Sequence, residues 1–225
     1  MESTPDSDRP AAATAAPSER SLRKGAKSQQ ELVGIAIDCF ARYGYQGTSV
    51  DRIAKAAGVT KGAIYYHFRD KEALLAAAVA NRVAAFEDRV QHSVSGATCP
   101  QALRKIANVC IKHARGGDHP RFAITLMVES IETNAEISAQ LREMMRRFRA
   151  FMRNLIQAGQ ERGEIRPDAD AVAAAAAYNS AILGAEIQFY QDPDRFVFEA
   201  AIEMFLDQLL ADLTRGMPSA AGGEL

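Results

Sequence analysis

Within two dozen residues, from Thr48 to Lys71, the chain writes three helix starts with almost nothing between them. Thr48 is followed three residues on by Asp51, a capping-box pattern, and Ile53, Ala54 and Ala57 then recur at helical spacing. Gly58 stops that helix, and after Val59 a second cap, Thr60, opens a short helix from Lys61 to about Phe68 whose inward residues are Ile64 and Phe68. Asp70 caps a third, long helix from Lys71 to about His92. Helices of about two turns are not stable alone, so the two short ones must pack on each other and on a neighbour. Two short helices about a glycine turn predict a helix-turn-helix. The neighbour lies just upstream, where Ser28 and Glu31 form another capping box ahead of Leu32, Ile35, Ala36, Cys39 and Phe40, and Gly44 ends the helix.

Beyond this region every periodic segment again has helical spacing and no alternating strand is found, so the expected fold is all-α. Pro100 opens a helix that fades at Gly116 and Gly117, and Pro120 opens another through Phe122, Leu126, Met127 and Ile131. Asn134 caps a segment with a wide apolar stripe from Ile137 to Leu155, broken near Gly159 and Gly163. The last two helices follow Pro167 and Pro193, over Asp168 to about Gln191 and Asp194 to Leu213. The expected division is a disordered arm over 1–27, a three-helix helix-turn-helix DNA-binding domain over 28–73, a larger helical ligand-binding and dimerisation domain over 74–214, and a disordered tail over 215–225.

Charge is placed where a nucleic-acid reader needs it. The whole chain has a formal net charge of −1, yet Arg20 to Lys71 holds ten basic residues against the four acids Glu31, Asp38, Asp51 and Asp70. A basic end on a neutral chain fits local DNA binding better than indiscriminate coating. The Arg20–Lys27 end of the arm is either a minor-groove follower or a solubilising tail. No apolar run approaches a membrane span and no secretory core precedes the helices, which predicts a cytoplasmic protein without membrane contact. Cys39, Cys99 and Cys110 are widely spaced, so neither disulfides nor a zinc site is expected, and Cys110 with His113 and His119 lacks a fourth ligand. No nucleophile elbow, phosphate loop or paired-carboxylate motif suggests an enzyme, and no cofactor is implied.

The short helix after Val59 offers DNA-facing residue types on its exposed side: Thr60, Lys61, Gly62, Tyr65, Tyr66 and His67. Gly62 removes a side chain where backbone would approach a duplex, and Lys61 and Tyr65 could reach base edges in the major groove. Thr48 and Ser49 at the preceding helix start, with Tyr66, His67 and Lys71, are placed for phosphate. Thr48 and Thr60 are also expected to cap their helices.

The run from Phe40 to Leu75, including Tyr-Tyr-His-Phe over 65–68 and Lys-Glu-Ala-Leu-Leu over 71–75, closely resembles the signature of TetR-family regulators. The resemblance implies base contacts around Lys61, Gly62 and Tyr65 and backbone contacts from Thr48, Ser49, Tyr66, His67 and Lys71. It also implies a homodimer whose last two helices form a four-helix bundle, reading a palindromic operator as a repressor that a small, largely hydrophobic ligand releases. A ligand-dependent activator, a co-repressed regulator and an effector-free DNA-binding protein are the other readings. Ligand-pocket candidates are His113, Phe122, Leu126, Met127, Glu129, Met144, Phe148, Phe151, Met152, Tyr178, Asn179 and Glu186, methionine-rich walls being adaptable to apolar guests.

Overall fold

A computed structural model of the chain describes residues 27–116, 120–122, 124–127 and 135–217. Eight helices with defined bounds run through them: α1 (Gln29–Tyr43), α2 (Val50–Ala57), α3 (Lys61–His67), α4 (Lys71–Val94), α5 (Cys99–Gly116), α6 (Ala135–Glu161), α7 (Ala171–Gln191) and α8 (Phe198–Leu213). A further helical stretch covers 124–127, and no strand occurs among the described residues, as the all-α expectation requires. The arm over 1–26, the segment 128–134 with Ile131 and the cap assigned to Asn134, and the tail from 218 lie outside the described residues.

Local chemistry sets the helix ends. Ser28 accepts from the Glu31 amide while the Glu31 carboxylate accepts from the Ser28 amide, completing the expected box on α1. Asp70 accepts from the Ala73 amide at 2.7 Å and starts α4. Gly58 sits at φ +67°, the left-handed conformation that a C-terminal stop favours, and its amide returns to the α2 carbonyls. Two starts fall later than expected. Asp170 caps α7 through the Val172 and Ala173 amides, so Asp168 is left outside pairing with Arg166, and α8 begins only at Phe198.

The apolar faces form two cores. The first joins α1, α2 and α3 to the start of α4 through Leu32, Phe40, Ile53, Ile64, Leu74 and Leu75, then continues to Phe122, Leu126, Ile137 and Leu141. The second gathers α5, the later turns of α6, α7 and α8 around Leu103, Ile106, Met152, Ile156, Tyr178, Phe198 and Ile202. Phe189 and Phe198 stack at 4.7 Å between ring centres, locking the α7–α8 hairpin. Polar clips fix the loops: Arg166 joins Asp212 at 3.0 Å, and the Glu164 carboxylate accepts from the Cys99 amide at 2.6 Å.

At the α5–α6 crossing a side chain is excluded altogether. α6 runs on through Gly159 rather than breaking there, and a Cβ at that position would lie 2.7 Å from the Cys99 Cβ and 2.9 Å from Ile165. Gly159→Ala is therefore expected to destabilise the fold by about 1–3 kcal/mol through overpacking, despite alanine's better helix propensity, as read by urea unfolding at fixed protein concentration.

Candidate nucleic-acid interface and effector chamber

The reading head is built outward from Ile53, Ile64 and Phe68, which anchor the inner faces of α2 and α3. With those faces down, α3 turns the other way with Lys61, Gly62, Tyr65 and Tyr66 exposed, Tyr66 to 85 %, a high value for so large a ring. Thr60 is exposed as well and caps α3 as expected, accepting from the Ala63 amide at 3.2 Å. His67 is half-buried and meets the Tyr66 ring edge-on at 5.0 Å. Lys61 bridges to Asp51 at 2.8 Å; the hydrogen bond and charge of that carboxylate raise its pKa, so the ammonium is retained at any physiological pH.

Thr48 requires a correction. It is only 1 % exposed, and its hydroxyl lies 2.7 Å from the Gly44 carbonyl and 3.1 Å from the Cys39 carbonyl, sealing the end of α1. Neither capping of α2 nor a side-chain contact with phosphate is open to it. The cap is Ser49, exposed, which accepts from the Arg52 amide at 3.2 Å. Free carbonyls at the end of α1 outcompeted the capping pattern for the threonine hydroxyl.

Lys71 lies beside this surface and has a structural task. Its ammonium sits 3.9 Å from the centre of the Tyr45 ring and donates to the Tyr45 carbonyl at 3.1 Å, while the Tyr45 hydroxyl donates to Glu72. These contacts clamp the turn after α1 onto the start of α4.

Above the head, α4, α5, the 120–127 segment, α6 and α7 enclose an apolar chamber of about 120 Å³. Of the expected lining residues, His113, Phe122, Leu126, Met127, Met144, Phe148, Asn179 and Glu186 are brought together there. Glu129 lies outside the described residues. Met152 and Tyr178 are corrections: both are fully buried in the second core, and the Tyr178 hydroxyl is spent on the Leu103 carbonyl at 2.8 Å. Phe151 likewise packs against that core rather than lining the chamber.

Sequence reasoning missed the α4 wall, formed by Val79, Arg82, Val83, Phe86 and Glu87. Its signal is Val79, Val83 and Phe86 at helical spacing along the long helix that Asp70 caps. Phe86 faces His113 at 5.8 Å and Phe148 at 6.1 Å between ring centres. His113 is depressed to a pKa of about 4, first by burial and then by Arg82 and Arg89, so it is neutral at pH 7. No group of three or more metal-ligating side chains occurs among the described residues, and His119 lies outside them.

Glu186 is the anomaly of the chamber. Among the described residues nothing hydrogen-bonds or ion-pairs with its carboxyl, and burial alone raises its pKa to about 7. Between pH 4.5 and about 7 the folded state thus holds a proton that the unfolded chain, with the ordinary carboxyl pKa of 4.5, has already lost. Stability falls as pH rises from about 4.5 through 7. Glu186→Gln is expected to unfold like the parent near pH 4 and to gain on it by about 3 kcal/mol near pH 8, measured as the pH dependence of the urea-unfolding free energy.

A helix-turn-helix head with an exposed, aromatic-bearing second helix, set on a helical body that encloses an apolar chamber, defines a DNA-binding transcriptional regulator. Residues 33–78 match the family described as bacterial regulatory proteins, tetR family, and residues 101–214 match the C-terminal part of BetI-type transcriptional repressors. The chain belongs to the TetR family. It is similar to the fatty acid metabolism regulator protein of Bacillus subtilis, 28% identical over 142 residues that span 62% of this chain and 72% of that one. A probable acrEF/envCD operon repressor of Escherichia coli is 30% identical over 149 residues, spanning 64% of this chain and 68% of its own length. Among solved structures, a TetR regulator from Chloroflexus aurantiacus superposes with a TM-score of 0.73 at 27% identity, covering 87% of this chain and 98% of that one. None of the described helices is long and apolar enough to cross a membrane.

Proposed function

We propose that the protein is a cytoplasmic repressor that grips a palindromic operator as a homodimer, with α3 of each copy in the major groove, and leaves it when a small, largely hydrophobic ligand fills the chamber. The observation that carries the DNA reading is Gly62. A Cβ there would find only the Thr60 Oγ1, at 3.8 Å, so the fold itself has no need of glycine at this exposed helix start. The omission makes sense where a partner's surface comes within backbone distance. Lys61 and Tyr65 flank it for base edges, and Ser49, Tyr66, His67 and Lys71 border it for phosphate. Thr60 contributes through its cap on the Ala63 amide, which fixes the start of α3.

Dimerisation is assigned to α7 and α8. The outer side of α7 exposes Val172, Ala173, Ala176 and Ala177, and α8 exposes Met204, with Val172 and Met204 each 62 % exposed. Small residues beside exposed apolar ones suit close helix approach by a second copy, and twin heads about 34 Å apart match successive major grooves. The similar protein named as a probable operon repressor supports repression.

Footprinting on upstream DNA is the direct test: a discrete, two-fold symmetric protected site is expected, and uniform coverage or none refutes the reading. Gly62→Ala sharpens it. Alanine should stabilise the exposed helix by up to about 1 kcal/mol, so a higher melting temperature combined with weaker operator binding is expected. Lys61→Ala should cost specific binding more than binding to random DNA, whereas Lys71→Ala should weaken both alike and lower the salt slope by about one unit, as read by titration across salt concentrations.

A further inference from the structure

We propose that the effector carries a positive charge on a compact apolar body, an amine or ammonium cation whose charged group seats on the Glu186 carboxylate in the α7 wall of the chamber. This rests on the chamber being the effector site.

A carboxyl group in an apolar chamber needs a reason, because desolvation without a partner is costly and buried polar groups are otherwise satisfied. Glu186 supplies none within the described chain: it caps no helix, joins no other side chain and closes no loop. The groups facing the chamber from each surrounding element leave its charge uncompensated. On α4, Glu87 is taken by Arg147 of α6 at 3.1 Å, and Arg82 has interactions of its own. Arg82 and Arg89 both bear on His113, which they and burial keep neutral. On α5, burial also keeps the Cys110 thiol protonated. On α7, the Tyr190 phenol is held neutral chiefly by burial, with Arg121 stacked 5.4 Å over its ring. Glu186 is thus the one lining carboxyl without a counter-charge among the described residues.

The walls suit such a guest. Phe86 and Phe148 present aromatic rings to the same space, and their faces attract a desolvated cation. A volume of about 120 Å³ corresponds to a guest of roughly one-ring size. Because Glu186 titrates near 7, a cation must find the group ionised, and its entry is coupled to loss of the carboxyl proton at lower pH.

The test uses the full-length protein and three probes of nearly equal shape and different charge: benzylammonium, benzyl alcohol and benzoate, titrated calorimetrically. Near pH 8 benzylammonium is expected to bind about tenfold or more tighter than benzyl alcohol, consistent with one charge-assisted contact. Near pH 6 that affinity should fall by about tenfold, following the ionised fraction of a group with a pKa of about 7, while benzyl alcohol stays unchanged. Glu186→Gln should abolish both the preference and its pH dependence yet still bind benzyl alcohol, which also reports an intact chamber; Glu186→Asp should retain the preference. Benzyl alcohol or benzoate binding as tightly as the cation, or a Gln variant that keeps the preference, overturns the charge assignment and leaves the chamber reading standing. Failure of all three probes to bind overturns both.

Discussion

One helix belongs to both halves of the molecule, and the rest of the structure depends on it. α4 spans 24 residues, about 36 Å at 1.5 Å per residue. Leu74, Leu75 and Ala78 in its first turns are fully buried against α1 and the reading head, whereas Val79, Val83 and Phe86 in the following turns form a chamber wall. Val79 and Val83 serve both: they lie in the core under the head and line the cavity. α4 is thus the element through which a shift of this wall would reach the head, because packed helices move as bodies rather than deforming locally.

The junction is stiff where it must be. Lys71, stacked on Tyr45 and bonded to its carbonyl, and Tyr45, bonded to Glu72, tie the turn after α1 to the first turn of α4. Thr48 holds the same turn from the other side through the Gly44 and Cys39 carbonyls. The head therefore follows the beginning of α4 as one piece. Freedom lies further along, at the chamber, where the walls come from five separate stretches of chain and meet over methionines and aromatic rings. A guest that prefers one wall arrangement shifts the population toward the matching head orientation, and its leverage is limited to its difference in affinity between the two.

How much of this could be read from the sequence follows from how local the determining interactions are. The box at Ser28, the caps at Asp70 and Thr60 and the stop at Gly58 each involve partners within a few residues, and each is found where the sequence puts it. The exposed face of α3 was legible for the same reason: in so short a helix, knowing that Ile64 faces inward fixes where Lys61 and Tyr65 point. Thr48 misled because its partners are on α1, four and nine residues away, and a capping pattern carries no information about carbonyls left open by another helix. Met152 and Tyr178 misled in a different way. Their types suit a cavity wall, but whether a buried side chain faces a void or its neighbours is decided by how α5, α6 and α8 close around it.

The sequence offers Glu186 as a pocket candidate, yet periodicity alone does not show that it lacks a counter-charge there. In α7 it follows a tract of alanines and small residues, and by spacing it is one more position near the end of a helix. Its character comes from elements distant in sequence: α5 brings Cys110 and His113, α4 brings Phe86, and α6 brings Phe148 to the same space. Burial keeps the histidine and the thiol uncharged but supplies no cation for the carboxylate, so the same desolvation leaves the third group with a pKa near 7. A chamber whose walls are otherwise apolar or internally paired therefore keeps one group able to change charge near neutral pH, and it lines the same cavity as the helix that carries the reading head.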